Sequence, residues 1–184
     1  MRQGTGQLAK CRHAREVKQF IARVNLVATA MPELEFSPLD DKAITECLAR
    51  AFKGMTLAKE AQAMHLKDAF TQHLAPGQGT WLDELAPLSA VWHDGRKLKL
   101  LYPEQARDEV GEPNSPEVQV KIQECFALKE HPHICEGKVP VKLWIATPDG
   151  KRLDSTFNWP AFKANTYPKL RAQLQKKFPS MLWV

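Results

Sequence analysis

Apolar residues in the first third of the chain recur at three- and four-residue spacing. Val17, Phe20, Ile21, Val24, Val27, Ala28 and Met31 form one stripe of an amphipathic helix, which Pro32 stops because its ring removes a donor and crowds the preceding turn. Asp40 and Asp41 are N-cap candidates for a second helix, with Ile44, Cys47, Leu48, Ala51 and Phe52 facing inward and Gly54 at its end. Thr56 can cap a third helix with Leu57, Ala61 and Met64 on its apolar face. Leu66, Ala69, Phe70 and Leu74 mark a fourth before the break "APGQGT". Met31, Met55 and Met64 read as core-filling side chains.

After that break the period changes. A short helical piece, "WLDELAP", leads into "LSAVWHDGRKLKLLY", where two alternating stretches flank Asp94-Gly95 and predict a hairpin closed by a two-residue mirror-image (type I′) turn. Residues 103–114, rich in Pro, Gly and charge, predict a mobile surface loop. Asn114 or Ser115 can cap a helix with Pro116 at its first position and Glu117 against its positive end; Val118, Ile122, Cys125 and Phe126 would be its buried stripe and His131-Pro132 its stop. "KVPVKLWIAT" and "KRLDST" then pair around Pro148-Asp149-Gly150. A short segment from Trp159 to Phe162 and a basic helix, "YPKLRAQLQKKF", complete the chain, with Leu170, Leu174 and Phe178 on the buried face of that helix. The expected architecture is α+β: a helical segment over 1–79, then a domain over 80–184 running strand-strand-helix-strand-strand-helix-helix around a small antiparallel sheet.

Composition adds a setting. The 184 residues are 43% hydrophobic, enough to bury a core without disulfide staples. Cys11, Cys47, Cys125 and Cys135 are far apart and follow no signal peptide, so reduced thiols and a cytoplasmic protein are expected. No apolar run approaches the roughly 18 residues of a membrane span, so no membrane partner is expected. The net charge of +5 is unevenly spread: residues 1–25 hold six Lys/Arg against one Glu, and residues 151–184 hold seven against one Asp. Basic ends around an acidic middle permit contact with phosphate backbones and equally describe a solvated face.

Few motifs encode catalysis. Gly137-Lys138 and Gly150-Lys151 lack the earlier glycine and following Ser/Thr of a phosphate-binding loop, and there is no dinucleotide fingerprint, GxSxG elbow or HExxH helix. His131-Pro132-His133-Ile134-Cys135 offers three ligand types in five residues, but no second Cys/His pair follows at a spacing that closes a zinc site. A Cys135/His133 nucleophile pair lacks an orienting group. No metal and no cofactor are expected.

Three segments carry a family resemblance: "VKIQECFAL", "HPHICEGKVPVKLWIATPDGKRLDSTFN" and "FKANTYPKLRAQLQKKFPSMLW". In this order they resemble the C-terminal domain of HrpB-type ATP-dependent helicases, a bacterial branch of the DEAH-box class. "FIARVNLVATAMPELEFSPLDD" and "LDELAP" resemble the region before it, so the likeness covers nearly the whole chain. Lys163, Asn158, Met181 and the "VWHDGR" turn depart from the family pattern, which shows Trp, Asp, His and a "VPSGSR"-like turn there. The resemblance implies the end of a larger enzyme without its two RecA-like motor domains. Asp83-Glu84-Leu85-Ala86 lacks the terminal His of a DEAH motif, so the chain itself is expected to be no enzyme.

Two functional classes follow. One is a non-catalytic accessory domain that helps a helicase hold RNA or other nucleic acid, weakly and without sequence preference, with Arg152, Lys163, Lys169, Arg171, Lys176 and Lys177 touching phosphates. The other is an interaction module that docks helicase motor domains or another partner through exposed Trp144, Trp159 and Trp183, against the plain alternative that these aromatics are core.

Overall fold

The computed structural model describes residues 14–53 and 66–183. The chain divides into two compact units, residues 1–86 with 102–114, and residues 87–101 with 115–184. The third helix proposed from Thr56 lies outside the described residues.

In the first unit, helix α1 (Ala14–Ala30) buries Val17, Phe20, Ile21, Val24 and Val27 as the stripe requires. Pro32 then opens a single 3-10 turn, Pro32–Leu34. Helix α2 (Asp41–Phe52) starts where Asp40 accepts the Ala43 N–H at 2.8 Å, and it buries Ile44, Cys47 and Leu48. Helix α3 spans Leu66–Thr71 and α4 Gln78–Leu85. Arg23 sits on the buried face of α1, only 2% exposed. Its guanidinium donates to the Ala86 and Leu82 carbonyls at the end of α4 and pairs with Asp83. A buried cation is tolerable only when its donors are taken up in this way. Residues 103–114 fold back on themselves, with Arg107 bridged to Pro113 and the Asp108 carboxylate accepting the Val110 and Glu112 N–H groups.

The second unit holds three small sheets. Strands β1 (Ser89–Val91) and β2 (Lys97–Lys99) form the first hairpin. Gly95 has φ 82° and closes the turn by donating to the Trp92 carbonyl at 2.9 Å, whereas Asp94 keeps negative φ. The connection is therefore a longer loop ending in a left-handed glycine, not the expected type I′ turn.

Residues Glu117–Lys121 form strand β3, and only Ile122–Cys125 are helical, as the short α5. Val118 and Val120 point into the core while Gln119 and Lys121 face out, a period of two that the Asn114-Ser115-Pro116-Glu117 cap signals concealed. Strand β3 pairs in parallel with β6 (Lys142–Ala146), whose other edge pairs antiparallel with β7 (Arg152–Thr156), so the sheet is mixed. Strands β4 (His133–Ile134) and β5 (Val139–Pro140) form a separate ribbon around three consecutive positive-φ residues, Cys135, Glu136 and Gly137. Gly150 closes the β6–β7 turn at φ 87°, again by donating to a residue three back, Thr147. Helix α6 (Trp159–Ala161), capped by Asn158 on the Ala161 N–H, runs through a π-helical stretch (Phe162–Thr166) into α7 (Tyr167–Lys177). Trp159, Phe162, Tyr167 and Leu174 are buried with Leu143 and Ile145 in the core of this α+β unit.

Candidate nucleic-acid interface

Strand alternation decides which side chains of the β3-β6-β7 sheet face outward. On β6, Leu143 and Ile145 are buried, which leaves Lys142 and Trp144 on the opposite face. Arg152, registered opposite Ala146, places its guanidinium carbon 4.4 Å from the centre of the Trp144 ring. Lys142, two residues before Trp144, places Nζ 4.6 Å from the same ring and 5.7 Å from the Phe157 ring. A ladder of aromatic and cation results: Phe157, Lys142, Trp144, Arg152. Each contact lies within the reach of a cation–π attraction. Glu117 steadies it from β3, accepting the Trp144 indole N–H at 2.9 Å and pairing with Lys142 at 3.4 Å. Arg152 also donates to Gln119 at 3.1 Å, and Gln119 donates to the Gly150 carbonyl at 3.3 Å. Lys142, Phe157 and Gln119 were not singled out by sequence. Their signal was the alternation in "KLW" and "EVQVK", readable only once both segments are known to be paired strands.

The six expected phosphate contacts do not form one patch. Helical winding of 100° per residue brings Lys169 and Lys176 within roughly 20° of each other and about 10 Å apart along the axis of α7. Both are exposed on the side away from Tyr167 and Leu174. Arg171 and Lys177 leave the helix on opposite flanks: Arg171 donates to the Trp183 carbonyl at 3.2 Å and ties down the C-terminal segment, while Lys177 lies 3.8 Å from Asp149 and 5.0 Å from the Phe178 ring. Lys163 is half-buried in the π-helical stretch, 5.9 Å from the Phe126 ring. Arg152 belongs to the sheet ladder.

The tryptophans separate similarly. Trp159 is fully buried and Trp183 is 6% exposed, so both are core and unavailable for docking; Trp144 alone of the three reaches the surface.

The His/Cys run is held by the backbone. His131 Nδ1 accepts the Trp159 N–H at 3.1 Å, which fixes the proton on Nε2, and Nε2 donates to the Val141 carbonyl at 2.8 Å. Burial holds its pKa below the ordinary histidine value, as expected for a ring whose neutral tautomer is fully engaged. His133 Nδ1 donates to the His131 carbonyl at 2.8 Å. Burial pushes the Cys125 thiol up to about 12 and the Cys135 thiol up to about 11, so neither is a nucleophile at neutral pH. Among the described residues no group of three His, Cys, Asp or Glu is placed to hold a metal ion, and no helix is long and apolar enough to cross a membrane.

Comparison with known proteins places this fold. Over 172 residues the chain is 22% identical to the ATP-dependent RNA helicase HrpB of Escherichia coli (strain K12), covering 91% of this chain and 20% of that protein. It superposes on a crystal structure of the E. coli DExH-box NTPase HrpB with a TM-score of 0.82 at 21% identity, over 96% of this chain and 21% of the other. A second structure, of the E. coli DEAH/RHA helicase HrpB, gives a TM-score of 0.73 at 20% identity, over 95% of this chain and 22% of that one. The chain therefore spans about a fifth of these relatives' length. Residues 47–184 match the ATP-dependent helicase C-terminal family, HrpB_C, and the chain belongs to that family.

Proposed function

We propose that the chain is a non-catalytic accessory domain that helps a helicase hold RNA or other nucleic acid in the bacterial cytoplasm through weak, sequence-indifferent phosphate contacts. The observation that carries this reading is the outward face of α7, where Lys169 and Lys176 are exposed with no carboxylate partner among the described residues. Unpaired lysines on a rigid helix meet phosphates as point charges and read no base edge. Arg152, Lys163, Arg171 and Lys177 are secondary contacts in this reading, because each already has a partner to give up. ATP hydrolysis belongs to motor domains outside the chain: the purified protein is expected to show no turnover with or without RNA and to need no cofactor, and turnover abolished by a mutation within it would refute this.

The decisive experiment is a salt titration of binding to single-stranded RNA. Replacing Lys169, Arg171, Lys176 and Lys177 by Gln is expected to flatten the dependence of log K on log salt by roughly 0.7 per lost contact. An unchanged slope and affinity would leave the second reading, docking of helicase motor domains or another protein. That reading is favoured by the adjacent exposed side chains of Met181 and Leu182.

A further inference from the structure

Phe157 is 50% exposed immediately after β7, and it lines a cavity of about 350 Å3 together with Glu130, His131, His133, Asn158 and Pro160. Such a volume is at the small end of organic-ligand sites. We propose that this pocket receives an unstacked nucleobase of a single strand, with Phe157 as the stacking face. The inference rests on the nucleic-acid reading above but moves the contact from α7 to the sheet side of the second unit.

Three features argue for a base here. The first is the ring. An exposed phenylalanine is costly to hydrate, and it is held from Lys142, which is itself held on Trp144. The stacking surface is thus preorganised before a ligand arrives. The second is the hydrogen-bonding inventory of the wall. His133 uses Nδ1–H on the His131 carbonyl, which leaves Nε2 as the ring nitrogen without a protein partner among the described residues. Asn158 uses Oδ1 on the Ala161 N–H, which leaves its NH2 as a donor. The exposed Glu130 carboxylate is an acceptor. A flat aromatic ligand edged with both amino or imino donors and carbonyl or ring-nitrogen acceptors matches this set, and nucleobases are of that kind. His131 is not part of it, since both its nitrogens are engaged by backbone.

The third is charge. Lys142, 5.7 Å from the Phe157 ring, stands where a strand entering the pocket would carry a phosphate, yet its pairing with Glu117 and the Glu130 carboxylate on the pocket wall offset its field. Affinity at this site therefore comes from stacking more than from counterion release. That sets it apart from α7: loss of the Phe157 ring lowers affinity at every salt concentration and leaves the salt slope alone, whereas loss of lysines changes the slope.

The test uses the 184-residue chain, fluorescein-labelled oligouridine and a blunt RNA duplex of similar length, read by anisotropy across a salt series. Phe157→Ala is expected to weaken single-strand binding about 5- to 150-fold, the range for loss of one base stack. It should leave the salt slope and the duplex affinity as in the parent. Phe157→Tyr should stay within about twofold of the parent, because stacking tolerates ring type. A thermal melt of Phe157→Ala matching the parent's confirms that the fold persists. Single-strand affinity unchanged in Phe157→Ala overturns the proposal, as does equal loss of single-strand and duplex binding. If Lys169→Gln/Lys176→Gln loses binding while Phe157→Ala does not, the pocket falls and the accessory-domain reading stands. If the parent binds neither RNA, both fall.

Discussion

Two nearby stretches of the second unit carry the side chains from which sites are made, and they turn in opposite directions. From His131 to Cys135 the imidazole of His131 and the thiol of Cys135 are driven into the protein, the ring fixed between the carbonyl of Val141, which links β5 to β6, and the first N–H of α6. From Lys142 to Phe157 the cations and rings hold one another on an open sheet face. The density of chemistry-bearing residue types is greater in the first stretch. What separates His131 and Cys135 from Phe157 is whether a side chain's hydrogen-bonding or stacking surface is already taken up inside the protein, a property that only folding decides.

This contrast can be broken most forcefully at His131. His131→Leu removes an acceptor from the Trp159 N–H and a donor from the Val141 carbonyl, both in the core, and is expected to cost about 3 kcal/mol in urea unfolding. A loss under about 1 kcal/mol would show that the ring is not structural after all. Gly150→Val strikes the open face through its turn: a β-branched residue at φ 87° is expected to cost about 2 kcal/mol, although a side chain there would meet no neighbour within 4 Å. An unchanged melting temperature would mean that the turn accommodates it.

A pH series sharpens the comparison further. Since the folded pKa of His131 is depressed, the unfolded chain binds the proton more readily. Stability from this group is fully present above the unfolded value of 6.5 and is lost as pH falls from there through the folded value. The parent's melting temperature should drop more steeply below that point than that of His131→Gln, and parallel curves would count against a neutral buried ring. The smallest effect belongs to the open face: Arg152→Ala should change stability by no more than about 0.5 kcal/mol, since its partners are exposed. A larger cost would make the ladder a structural element rather than a free surface.

The sequence disclosed most where one signal acted alone. The α1 stripe, the Asp40 cap and the left-handed glycines at 95 and 150 all rest on local rules. Strand β3 was missed because two local rules competed: Pro116 and Glu117 mimic a helix start, Val118 and Ile122 fit a helical stripe, and only pairing with β6 favours the extended form. Strand β5 was hidden inside "KVPVKLWIAT", which reads as one strand although Val141 divides β5 from β6, and its partner β4 lies in the His/Cys run before it. At the candidate interface the basic helix was legible, but the division of its charges depended on Trp183 and Asp149 arriving from elsewhere to engage Arg171 and Lys177. The ladder needed the β6–β7 register, and nothing in one strand announces its neighbour.

The course of the chain between the two units has a consequence for dissection. Residues 102–114 belong with the helical unit although residues 87–101 before them and 115 onward do not. Tyr102 shows why, because Gln19 of α1 donates to its carbonyl and accepts its N–H at 3.0 and 2.9 Å. No single cut therefore separates one unit from the other. A fragment that begins after α4 would carry Tyr102 without its helix, and one that ends there would strip α1 of that partner. The two units are best regarded as one heritable piece, to be moved, fused or deleted together.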